Sequence, residues 1–376
     1  EINRIRQAML RGGKLRGNFS LTSDYIDCNQ LMKAMNSGMQ YSEQHLATTG
    51  QSVMDEESFV TMDTHTLQDS IATATLDTTD RVFVIPAYLD ITLHTNAQKI
   101  DFKDAELTNV LGEVIIRDQS INLSNLKMDS NIGRGNMTMF YTAKDYSGAS
   151  VGFDLDMEDV MVEKLIGLYP AIDTLVPMLR SFEGVVDCQV TATCKMDSTM
   201  SLELPSLHSA CYLHGENMVL LDGETFTEIS KTLMFKNKKR NVIDSISVDL
   251  AIKDNKIKVF PFLVEMDRYK VAVGGTHNLD MTFNYHLSVL KSPVPFKLGI
   301  DITGNLDDFK YKIVKCRYKD LFKPAKEAEL DSTRTNVRKE IRESIRNQIK
   351  ETAPELVSSL SPNHTVTPPE GETNAL

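Results

Sequence analysis

Tryptophan does not occur in this chain of 376 residues, cysteine occurs only five times, and no apolar run is long enough to cross a bilayer as a helix. No secretory leader is visible either. The first residue is Glu1 rather than methionine, so we expect a part of a longer protein whose targeting and anchoring segments lie elsewhere. Cys28, Cys188, Cys194, Cys211 and Cys316 are an odd, scattered set and do not read as a disulfide framework. Cys188 and Cys194 sit on one expected strand, about 20 Å apart if it is extended, which is beyond the reach of a bridge. Basic residues are also in deficit: 41 Lys and Arg against 52 Asp and Glu give a net charge of -11. A broad cationic surface for phosphates is excluded, and with it nucleic acid as the expected partner.

Motifs that carry chemistry are missing as well. The chain has no Gly-rich phosphate loop, no G-x-S-x-G elbow, no H-E-x-x-H and no paired C-x-x-C. Two weaker constellations remain. His208, Cys211 and His214 would offer metal-ligand chemistry, but on a strand His208 and His214 share one face and Cys211 points to the other. His277, Asp280 and His286 would offer acid–base chemistry, yet Asp280, Thr282, Asn284, His286 and Ser288 alternate as a solvated strand face does. We therefore expect no catalytic residue, no metal and no cofactor.

What is present is a folding composition, 41% hydrophobic and 25% charged, with 18 methionines. Methionine is flexible and polarizable, which suits irregular cores and surfaces that meet variable apolar partners. Apolar residues recur at every second position over most of the chain. Leu89, Ile91 and Leu93 alternate with polar residues; Val114 and Ile116, Ile121 and Leu123, Met137 and Met139, and Val151 to Met157 follow between polar turns. The pattern returns from Val186 to Met196 and from Ile243 to Val314, including Val248 and the run Leu279, Met281, Phe283, Tyr285. Period-two alternation over many short segments predicts an antiparallel meander with one apolar face.

Helical spacing is confined to a few places. Met161, Leu165 and Leu168 share one helical face, and Phe226, Ile229 and Leu233 share another, so helices are expected near 158–181 and 225–234. From Arg334 to Lys350 there are six basic and two acidic residues. Val337, Ile341, Ile345 and Ile349 recur there every fourth residue, as in an amphipathic helix. Its thin Ile stripe either packs on the sheet or lies against a membrane or partner. Residues 41–80 hold eight acidic residues and no Lys or Arg, and read as a solvated excursion. The expected organisation is a β segment over 1–40, an acidic flexible insertion over 41–81, a main β domain over 82–318, a charged helix over 319–353 and a disordered tail over 354–376.

Three passages carry a resemblance. One is the LDITL strand with the short-turned strands that follow it, up to GRGNMTM; the second is LRGNFSLTSDYIDCNQLMKAM. The third is DRYKVAVGGTHNLDMTFNYHLSVLKSPVPFKLGIDITGNLDDFKYKI, a strand-Gly-Gly-strand unit leading to an SP-containing turn. In their order along the chain these resemble the C-terminal region of the AsmA-like family of Gram-negative envelope proteins, over about residues 82–318. The resemblance implies an inner-membrane-anchored protein whose bulk lies in the periplasm. It also implies an extended, curled, mainly β groove carrying phospholipid or another acyl lipid in outer-membrane biogenesis. The groove wall would then be Leu89, Ile91, Leu93, Met137, Met139, Phe153, Val248, Leu279, Met281, Phe283 and Tyr285. The alternative is a scaffold that binds other envelope proteins through sheet edges or the C-terminal helix.

Overall fold

The computed structural model describes residues 2–3, 13–31, 33–34, 82–102, 105–164, 182–220, 241–266, 269–278, 282–292, 297–305 and 308–357. Their strands are β1 (Ile2–Asn3), β2 (Leu15–Ser23), β3 (Ile26–Asp27), β4 (Leu89–Phe102), β5 (Ala105–Arg117), β6 (Ser120–Ser130), β7 (Arg134–Asp145), β8 (Gly148–Met161) and β9 (Phe182–Glu183). They continue as β10 (Val185–Asp197), β11 (His208–Leu220), β12 (Asn241–Lys253), β13 (Lys256–Met266), β14 (Tyr269–Asn278), β15 (Phe283–Lys291), β16 (Leu298–Gly304) and β17 (Phe309–Val314). All belong to one curled, unclosed sheet. From β4 to β8 and from β10 to β17 each strand pairs antiparallel with the next, and β8 pairs with β10.

The expected mainly β meander is therefore present, with one correction. The sheet is mixed, because β2 and β3 run parallel to β4. A parallel pair needs a long return connection, and the residues between β3 and β4 supply that length. Two hairpins close on two-residue polar turns. Asp118–Gln119 and Asp254–Asn255 all have φ between 50° and 60°, the left-handed pair of a two-residue loop that matches strand twist.

Register shifts bend several strands, and three of them share one feature. An extra residue enters β5 at Asn109, β6 at Asn125 and β8 at Asp159. Their φ values are 53°, 48° and 56°. Asn and Asp tolerate this left-handed conformation best among residues with a Cβ, and each such bulge sharpens the local twist. Pro261 lies in another shift, on β13 between Val259 and Phe262, where a missing N–H costs no ladder bond.

Two helices follow the sheet: α1 (Pro324–Thr352) and the single turn α2 (Pro354–Val357). The expected helix over 319–353 thus starts at 324. The expected disordered tail begins instead as α2, whose Leu356 is 1% exposed. Its apolar side chain joins Ala353, Ile349 and Ile345 against Ile115 and Phe140 of the sheet. Residues 158–161 of the helix expected near 158–181 belong to β8, and the bulge at Asp159 keeps both Met157 and Val160 buried in one cluster. Residues 162–164 are helical; the remainder of that helix and the one near 225–234 lie outside the described residues.

α1 crosses the strands. Arg334 donates to the Pro261 carbonyl on β13, Arg338 to Asp249 Oδ1 on β12 (2.7 Å) and Gln189 Oε1 on β10 (3.1 Å), and Arg342 to Asp154 Oδ1 on β8 (2.9 Å). Thr352 meets Asn122 on β6 (3.0 Å). From Arg334 to Thr352 the helix rises about 27 Å, against about 29 Å for the six strand spacings from β13 to β6. Nearly one helical turn therefore lies over each strand.

Candidate functional site: two unlike faces of one sheet

Residues directly opposite in a sheet share a face, so the register can be read across the molecule. One row runs Leu126, Met137, Leu155, Val190, Cys211, Leu250, Val259, Gly275, Tyr285, Ile302, Tyr311. It passes through eleven strands without a charged residue, a span of about 48 Å. The neighbouring row holds Phe19, Leu93, Val114, Leu123, Met139, Phe153, Ala192, Ser209, Ile252, Ile257, His277 and Phe283. Ile91 leads a third with Ile116, Ile121 and Tyr141, and Val248 sits in a fourth with Leu213 and Cys188.

Of the sequence-derived wall residues, Leu89, Ile91, Leu93, Met137, Met139, Phe153, Val248, Phe283 and Tyr285 all lie on this face. Leu279 and Met281 lie outside the described residues. Those nine differ in depth: Tyr285 is buried, and the other eight are half-buried. Gly275 makes the tyrosine's position possible, since a Cβ there would stand 2.7 Å from Tyr285 Cδ1.

Among the described residues, Val162 of the helical residues 162–164 packs into this face. One end is strapped by residues 82–86: Val82 and Ile85 pack on Tyr141, Ala143 and Ala149, and Phe83 N–H donates to Tyr141 Oη (3.1 Å). The middle holds a recess lined by Val186, Leu213, Met218, Ile246, Val248, Leu250, Val259, Phe262, Val273 and Tyr285, with Val162 and Phe182 at its rim. These residues come from six consecutive strands of the ladder, β10 to β15, and the curl gathers them around one hollow. The recess exposes carbon and sulfur surface only, apart from the Tyr285 hydroxyl, which is engaged by His277 Nδ1 at 2.8 Å. Burial pushes the Tyr285 phenol up to about 12.

Register also brings together two cysteines that look unrelated in the sequence. Val190 opposes Cys211 and Cys188 opposes Leu213, so the two thiols are diagonal neighbours on the apolar face. Their mutual hydrogen bond, together with burial, holds the Cys211 thiol well above its usual range. Both are free thiols.

The other face is polar and occupied. Its rows include Thr138, Asp154, Thr191, Ala210, Ala251, Lys258, Thr276 and Asn284. Four arginines of α1 recur every fourth residue (334, 338, 342, 346), a cationic stripe that meets Asp249 and Asp154. Burial raises the Asp249 carboxyl, and Arg334 and Arg338 pull it back. The Arg338 guanidinium also sits 5.2 Å from the Tyr212 ring centre. Of the two readings of the basic helix, packing on the sheet is the observed one: Ile345 and Ile349 are 2% and 0% exposed. Phe140 reaches them because Gly152, opposite it, leaves room for its ring.

The two constellations weighed in the sequence behave differently. His208 and Cys211 lie on opposite faces of β11, and among the described residues no three metal-ligating side chains converge. His286 corrects the expectation of a solvated strand face, since it is 2% exposed. Its Nδ1 lies 2.6 Å from Asp301 Oδ1 and its Nε2 2.9 Å from Ser288 Oγ, the hydrogen-bond order of an acyl-transfer triad. The hydroxyl, however, is wholly buried and accepts the backbone N–H groups of Arg317 and Tyr318, both at 3.1 Å. Those amides, which in a hydrolase would face the substrate oxyanion, are spent on the serine itself. The relay fastens the 315–318 segment to the sheet. Neither Asp301 nor this segment is adjacent in sequence to His286, so only the fold reveals it.

Comparison of the chain with protein-family models, with curated proteins and with solved structures finds no match.

Proposed function

We propose that this chain is the lipid-holding part of a non-enzymatic, AsmA-like envelope protein, which binds or conducts phospholipid along the apolar face of its sheet. The observation that carries the reading is the uninterrupted apolar row from Leu126 to Tyr311, while the same strands are braced from behind by α1. A single core would need its layer on the apolar side. An open apolar face of this length is a liability unless a ligand uses it. Acyl chains fit such a surface without acid, base or metal. Each methylene that leaves water contributes about 0.8 kcal/mol, so ten would contribute about 8 kcal/mol, spread over many equivalent contacts. Lipid held this way can slide, because no single contact dominates, and headgroups stay solvated at the rim. In this reading the full-length protein is anchored in the inner membrane and this part stands in the periplasm.

The test is organic extraction of the purified chain followed by lipid mass spectrometry. Near-stoichiometric phospholipid is expected, with loss in Val248→Asp and Phe283→Asp variants that keep the wild-type circular dichroism spectrum. A lipid-free extract from folded wild-type protein would sink the groove. It would favour the scaffold reading, for which the exposed side chains of the edge strand β17 are the specific support.

A further inference from the structure

The acidic balance of the whole chain conceals a local reversal. Between Phe309 and Lys326 stand seven basic residues and one acidic residue, a net +6 over 18 residues of a chain at -11. Lys310, Lys312, Lys315, Arg317, Lys319, Lys323 and Lys326 are all exposed. Arg317 is held by Asp301 and Lys323 by Asp320. The other five make no ion pair among the described residues. The Asp320 carboxyl is lowered first by its hydrogen bond to Lys323, and Lys319 and Lys326 add to the effect from a distance.

The fold turns this stretch into a surface. β17 is the last strand of the ladder and pairs only with β16 among the described residues. The chain then folds back over the sheet, because the backbone amides of Arg317 and Tyr318 are captured by Ser288. Lys310 and Lys312 oppose Thr303 and Asp301 on the polar face, beside the fold-back; Tyr311 and Ile313 oppose Ile302 and Ile300 on the apolar face. Tyr311 is 49% and Ile313 62% exposed, the latter more than any other large apolar side chain described. Cations and protruding apolar groups therefore meet along one open rim.

We infer that this rim is a docking surface for an anionic lipid bilayer, set edge-on so that Tyr311 and Ile313 enter the interface while the lysines meet the headgroup phosphates. Charge complementarity and the apolar pair favour a bilayer over a polyanion such as nucleic acid, which would gain nothing from Ile313. Homotypic pairing of β17 is disfavoured, since two antiparallel copies would oppose lysine to lysine. The inference does not depend on lipid in the groove. It places one end of the apolar face at a membrane, whatever that face carries.

A flotation assay of the whole chain with phosphatidylcholine vesicles, with or without 30% phosphatidylglycerol, tests it. Binding is expected only to the anionic vesicles, falling steeply as salt shortens the screening length. Each neutralised lysine is worth about 5-fold at the surface, so Lys310→Gln, Lys315→Gln, Lys319→Gln and Lys326→Gln together should lower partitioning at least about 100-fold. The same four changed to Arg should bind as wild type, and Ile313→Ser should weaken binding at unchanged salt dependence. Equal flotation of the Gln variant, no flotation at all, or preferential competition by a DNA duplex at equal charge would each overturn the proposal. None of these readouts depends on the groove extract.

Discussion

The two faces of this sheet are made by alternate residues of the same strands, yet they solve opposite problems. The polar face is closed by α1, whose arginines meet buried carboxylates and whose isoleucines fill the hollow between Ile115 and Phe140. The apolar face carries far more hydrophobic surface and, among the described residues, receives the short strap at 82–86 and Val162. Among the described residues, the long helix lies on the polar side of the sheet.

This contrast predicts unequal sensitivity to substitution. The largest effect is expected for Asp249→Ala, which strands two partly buried guanidinium groups. Losing one partner of a buried pair costs about 3–5 kcal/mol, read as a lower urea midpoint and early proteolysis near α1. Next is Ile349→Ala, wholly buried under the helix, at about 2–4 kcal/mol in the same assay. Tyr285 comes third and only in alkali. Its phenol is neutral in the fold up to about 12 but titrates near 10 when unfolded. The stability it contributes is fully present below pH 10 and is lost as pH rises toward 12, by about 2–3 kcal/mol. Tyr285→Phe should flatten that part of the pH–stability curve. Smallest is Leu93→Ala on the open face, below about 1 kcal/mol, because a half-exposed side chain leaves little cavity. An effect at Leu93 equal to that at Ile349 would erase the distinction between the faces.

Much of this architecture could be read from the sequence, and the reason is local. Alternation around Leu89–Leu93, Met137–Met139 and Phe283–Tyr285 reports which face a residue takes, and face is a property of neighbouring residues. The polar turns at 118–119 and 254–255 are equally local. What escaped reading depends on register or on contacts between distant segments. The bulges at Asn109, Asn125 and Asp159 shift parity within a strand. Their visible trace is an Asn or Asp within a strand, which alternation alone treats as an ordinary solvent-facing residue. The Cys188–Cys211 contact exists only once β10 and β11 are aligned. Asp301 and the amides of Arg317 and Tyr318 meet His286 from other segments. The helix was legible as amphipathic, but its four-residue arginine spacing acquires meaning only against Asp249 and Asp154.

α1 also fixes a gauge. A helix keeps its axial rise per residue, so a rod fastened at Pro261, Asp249, Asp154 and Asn122 sets the separation of the strands beneath it. Between β13 and β6 the width of the sheet is then dictated by the backbone geometry of the helix. Beyond that span lie β14–β17 on one side and β1–β5 on the other. The sheet is in this sense a trough whose middle is held to a set width, with a wing on either side.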